Sequence, residues 1–158
     1  MRRQARALVA AGVLALATTS AAAADTPSIE RFDYHQVFVA PGLSAACGFS
    51  ILRDQTGQGV DAVYGDGSER LDIQEVDVWT ANGKSITERD AFSVYIAVDG
   101  SVTVSGANYH AIQPGTGLVV IDAGRVAWNA DGDIVVLDGP HPVVLDGRAA
   151  TFCAALAP

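Results

Sequence analysis

The chain has 158 residues, and its 18 aspartates and glutamates outweigh 10 lysines and arginines, giving a formal net charge of −8. No basic stripe is present that could release counterions from a phosphate backbone, so the composition argues against nucleic-acid binding, and against an anionic membrane surface for the same reason. One domain with a single core fits the length.

Arg2, Arg3 and Arg6, the apolar run 7–17 and the alanines 21–24 read as a secretory signal peptide over residues 1–24, cleaved before Asp25. Eleven apolar residues at 1.5 Å rise are too few for a hydrocarbon core about 30 Å thick, so no membrane span is expected after cleavage. Cleavage removes three basic residues and no acidic ones, leaving 134 residues with a net charge of −11. The expected location is extracellular. LSAAC (43–47) looks like a lipoprotein site, but Asp25, Glu30, Arg31 and Asp33 separate it from the apolar core.

Residues 25–46 read as an N-terminal arm in which FDYHQVFVAP (32–41) forms an edge strand ending at Pro41; residues 47–158 read as a β-rich domain. From Cys47 the apolar period is two. CGFSILRD puts Cys47, Phe49 and Ile51 on one face, and AFSVYIAV (91–98) does the same for Phe92, Val94, Ile96 and Val98. Between them, Asp72, Glu75 and Asp77 read as a solvated face with a bulge at Gln74-Glu75. Asp-Gly at 66/67, 99/100, 131/132, 138/139 and 146/147, with Asn82-Gly83, supplies six candidate turns, since these pairs tolerate positive φ.

LVVI (118–121), IVVL (134–137) and VVL (143–145) are apolar at every position, which predicts strands covered on both faces. WNADGDIVVLDG (128–139) has the outline of a calcium loop. Ala127 would be its first ligand, however, and strand-like segments flank it, so a hairpin turning at Asp131-Gly132 is the reading. GRAATFCAALA (147–157) predicts a C-terminal helix with Asp146 as N-cap and Ala149, Phe152, Cys153 and Leu156 on one side.

Two cysteines in an exported chain predict a Cys47–Cys153 disulfide. Chemistry is sparse. His35, His110 and His141 lack metal-ligand spacing, no G-x-S-x-G elbow or phosphate loop occurs, and neither a metal nor a cofactor is expected. Tyr109 and His110, before the glycine-rich PGTG (114–117), are the best catalytic candidates as an acid–base pair. Trp79, Trp128 and Tyr95 are the candidates for lining a ligand cavity.

PGTGLVVIDAGRVAWNADGDIVVLDGPHPVVLDGRAATFCAAL (114–156), NGKSIT (82–87) and CGFSI (47–51) together resemble a group of small exported actinobacterial proteins of unknown function. The resemblance covers about residues 47–156. It implies export, a β-rich domain and paired cysteines, and supplies no catalytic residues.

The expected fold is all-β, about eight to ten short antiparallel strands in a small up-and-down barrel, a β-sandwich being the alternative, with a short C-terminal helix. The expected function is a secreted non-catalytic domain binding a small apolar ligand or a cell-envelope partner, with a homo-oligomer as a further partner reading. The alternative is a barrel-type isomerase or cyclase resembling allene oxide cyclase and dirigent proteins.

Overall fold

The computed structural model describes residues 26–158, so the signal-peptide reading of residues 1–24 falls outside the described residues. The elements in chain order are β1 (Ser28–Val39), α1 (Pro41–Cys47), β2 (Leu52–Val63), β3 (Glu69–Ala81), β4 (Lys84–Ile96), β5 (Val102–Gln113), β6 (Gly117–Trp128), β7 (Ile134–Asp138), α2 (Pro142–Asp146) and α3 (Ala149–Leu156). All seven strands form one antiparallel sheet in sequence order. The all-β meander with a short C-terminal helix is as expected, but the sheet stays open with β1 and β7 as its edges, as in the sandwich alternative. Seven strands suffice where eight to ten were expected because six of them run 12 or 13 residues, about twice the usual length.

The turns explain the register. At Asp66-Gly67, Asp99-Gly100 and Asp131-Gly132 the same loop recurs: the glycine N–H bonds the carbonyl three residues back (Tyr64, Ala97, Asn129), and that residue's N–H bonds the carbonyl just after the glycine. Each glycine has φ between 85° and 88°, which marks a type I turn closed by a left-handed residue. The calcium-loop outline is thereby resolved. Asn129 Oδ1 accepts the N–H groups of Asp131 (3.1 Å) and Asp133 (2.8 Å), so its side chain shapes the turn. Asn82-Gly83, at φ 52° and 73°, makes the tighter two-residue turn between β3 and β4.

Several expectations need correction. Cys47 closes α1 instead of opening a strand, because Pro41 sits in the first helical turn and Gly48 ends the helix in the left-handed region. Val143–Leu145 belongs to α2, again started by a proline, and Asp146 ends that helix instead of capping α3, whose N-cap is Arg148. β3 pairs without interruption through Gln74-Glu75; the bulges lie in the pairings of β4, β5 and β6. The runs expected to be covered on both faces are not: Leu118 is 57% exposed and Val135 60%, with Ile121, Ile134 and Leu137 also open.

The core lies at one end of the sheet, beneath the helices. Ile51, Trp79, Ile86, Ala111 and Val120 meet Phe152 and Leu156 of α3, with Trp79 and Phe152 edge-to-face at 5.6 Å. Side chains from the two nearby turns cap the end of α3: Gln113 donates to Ala155 O (2.7 Å), Asn82 to Leu156 O (2.9 Å) and Lys84 to Ala157 O (2.5 Å). The Cys47–Cys153 disulfide joins α1 to α3 across 106 residues, a loop whose closure stabilises by about 4 to 5 kcal/mol in the chain-entropy model.

Candidate functional site

Because strand residues alternate between faces, β3 carries Leu71, Ile73, Glu75, Asp77 and Trp79 on the side facing the helices, while β4 carries Ile86, Glu88, Asp90 and Phe92 there. Glu75 lies directly opposite Asp90 and Asp77 opposite Glu88, which makes two like-charge cross-strand pairs. Such pairs are destabilising unless neutralised. Asp77, Glu88 and Asp90 are buried, and the Glu75 side chain is 11% exposed.

Two arginines answer them. Arg53 on β2 bonds Asp77 Oδ2 (2.5 Å) and reaches Glu75 Oε1 (3.4 Å). Arg148, just before α3, stands 3.6 Å from Glu88 Oε1. Both guanidinium groups lie 4.7 Å from the Trp79 ring centroid, and the indole N–H donates to Glu88 Oε2 (2.6 Å). The Tyr34 hydroxyl and the Gln55 amide (2.8 Å) both donate to Glu75 Oε2. Tyr34 reaches Glu75 across Gly57, where a Cβ would come within 2.5 Å of the tyrosine ring. A bulge at Glu88–Ala91 lets the Asp90 carboxylate accept the His110 N–H (3.3 Å).

Electrostatics follow from burial. Desolvation pushes the Glu88 carboxyl up to about 7, against the pull of Arg148 and Trp79. Desolvation, then the charges of Glu88 and Glu75, push Asp90 up to about 8. Burial raises Asp77 despite Arg53, and it also raises the Tyr34 and Tyr109 hydroxyls.

A second site of interest lies on the opposite face. A trough of about 740 Å³ crosses β1–β5 between Arg31, Asp33, Gln58, Arg70, Gln74 and Ser105, and a second depression of about 500 Å³ continues it past Thr56, Val76 and Arg89. Arg70 makes a forked bond to Asp72 at 3.0–3.2 Å, Ser93 donates to the same carboxylate, and Gln58 donates to Gln74 (3.3 Å).

The residues singled out from sequence are not gathered at either place. Tyr109 and His110 are neighbours on β5 and therefore point to opposite faces; Tyr109 stacks under Arg148 at 5.1 Å, on the helix side. Trp79 is enclosed in the core, Tyr95 is exposed on the trough side, and Trp128 ends β6 at the far end of the sheet. Glu75 and Asp77, expected on a solvated face, are turned inward, and only Asp72 of that trio faces out. His141, in the connection between β7 and α2, is buried: its Nδ1 meets Asp122 Oδ1 and its Nε2 meets Asp138 O, both at 2.9 Å, while Asp122 Oδ2 accepts the Val143 and Val144 N–H groups. This pair pins the start of α2 to β6.

Compared with protein-family models, curated proteins and solved structures, the chain matches none.

Proposed function

We propose that the chain is a secreted, non-catalytic binding domain whose ligand surface is the polar trough, and that its ligand is a neutral, hydroxyl-rich molecule such as a cell-envelope oligosaccharide. The disulfide, and the lack among the described residues of any helix able to cross a membrane, agree with export after removal of residues 1–24. The observation that carries the reading is the composition of the trough. Arg31 and Arg70 face Asp33 and Asp72, and Gln58, Gln74, Ser93 and Ser105 add uncharged donors and acceptors. Charges balance there, so a neutral molecule bearing hydroxyl groups is better matched than an anion. Of the two partners expected from sequence, a small apolar ligand and a cell-envelope partner, this reading takes the second, since an open sheet offers a surface more readily than an enclosed cavity.

Amide-resonance mapping with neutral envelope oligosaccharides tests it. Shifts at Gln58, Arg70, Gln74 and Ser105, lost in Gln74→Ala, are the expected result; shifts confined to the helix side, or none, would sink it.

An isomerase or cyclase is a second reading, favoured by Glu88 and Asp90, whose carboxyls titrate near neutrality beside Tyr109. A copurifying molecule that is converted on incubation, and spared by Glu88→Gln, supports this. Equal conversion by that variant removes it.

A further inference from the structure

We propose that Glu75, Asp77 and Asp90, whose side chains by strand parity belong to the face opposite the trough, form a binding site for a hard divalent cation of the calcium class. One oxygen from each carboxylate lies within 4.8 Å of the others. Calcium binds oxygens at about 2.3–2.6 Å, so ligands of one ion are at most about 5 Å apart and the spacing of the three falls within that span.

Clustering alone would not distinguish a site from crowding, but Asp77 adds a separate observation. Its carboxylate is fully buried; Oδ2 is taken by Arg53, while Oδ1 receives no hydrogen bond from any described residue. A buried carboxyl oxygen without a hydrogen-bond partner is costly, and in native proteins such an atom is met by a water or an ion. Since Oδ2 is committed, Oδ1 is the oxygen Asp77 has to offer.

Charge points the same way. Glu75, Asp77, Glu88 and Asp90 carry four carboxyl groups, and Arg53 and Arg148 supply two positive charges. With all four ionised the shortfall is two, which either one such ion or two protons can make good. Oxygen-only ligands select calcium or magnesium over softer metals, and three carboxylates fixed by a β-ladder suit calcium's looser shell better than magnesium's strict octahedron. Arg53 stays compatible as a partner of Asp77 Oδ2 and Glu75 Oε1.

The test uses the chelator-treated, disulfide-intact chain titrated with calcium chloride to about 5 mM, above the roughly 10⁻⁴–10⁻³ M dissociation constants of extracellular calcium modules. Thermal unfolding and terbium luminescence excited through the chain's own aromatic residues are the two readouts. The expected result is a saturable rise in Tm, a weaker response to magnesium, and terbium emission that calcium competes away.

Asp90→Asn keeps the shape and removes one charge of an opposed pair, so it should fold at least as stably without metal while weakening calcium binding at least tenfold. Asp72→Asn, on the other face, should leave calcium binding unchanged. Three results overturn the proposal: no calcium response in the native chain, an undiminished response in Asp90→Asn, or a response lost in Asp72→Asn. The first would mean that the cluster is neutralised by protons alone. Failure here leaves the trough reading intact, since oligosaccharide binding is read at other residues.

Discussion

Asp72 and Asp77 share strand β3, five residues apart, and their carboxyl groups are pushed in opposite directions. Asp72 faces the trough, where the forked bond from Arg70 and the bond from Ser93 hold its carboxyl below the usual carboxylate range. Asp77 faces the helices, where burial outweighs the bond from Arg53 and raises it. Both have an arginine partner. Access to water decides the sign, and parity along the strand decides the access.

The strongest way to break the contrast is to remove the ring that seals the helix side. Trp79→Ala deletes the contact with Phe152, the surface stacked by both arginines and the donor to Glu88, and is expected to cost about 3–5 kcal/mol in urea unfolding. A loss under about 1 kcal/mol would mean that this face is not the core.

Next comes pH, measured in chelator. Glu88 and Asp90 have folded values raised above those of the unfolded chain, so the folded form holds more protons across the window from about 4 to 8. Their contribution to stability is complete at the acid end and is lost as pH rises through that window, on the order of a few kcal/mol. His141, also raised, acts in the same direction: its contribution is present below its ordinary value near 6.5 and fades above it. Glu88→Gln should flatten the curve. A stability that climbs steadily from pH 5 to 8 would show that the inner carboxyls are ionised throughout.

Gly57→Ala should cost about 1–3 kcal/mol, because the new Cβ forces Tyr34 off Glu75, whereas Gly42→Ala, with open space around it, should not show this steric cost. Asp72→Asn should leave the unfolding midpoint unchanged within error, since a surface ion pair with an exposed arginine contributes little.

Much of this was legible in the chain, but unevenly. The three Asp-Gly loops are the same turn because a left-handed residue is needed at each, and glycine advertises it. Phe92, Val94 and Ile96 marked the inner face of β4; carrying the same parity back reaches Asp90, Glu88 and Ile86. That signal was present, but the usual rule that acids face water hides it. In β3 it was Leu71, Ile73 and Trp79 that gave Glu75 and Asp77 away. Arg148 and Tyr34 could not be found in this manner. Their partners depend on how α3 docks and on Gly57 clearing a path, and both are tertiary facts. The apolar runs of β6 and β7 stay exposed at Leu118, Val135 and their neighbours because such runs say how many faces tolerate burial, not how many obtain it.

Cys153 follows all seven strands, while its partner precedes six of them. This bridge therefore cannot clamp a half-made product: it closes only once the whole meander has been made and α3 has reached α1. A chain halted between Cys47 and Cys153 carries one unmatched thiol, a chemical flag by which an oxidising compartment could tell unfinished copies from finished ones.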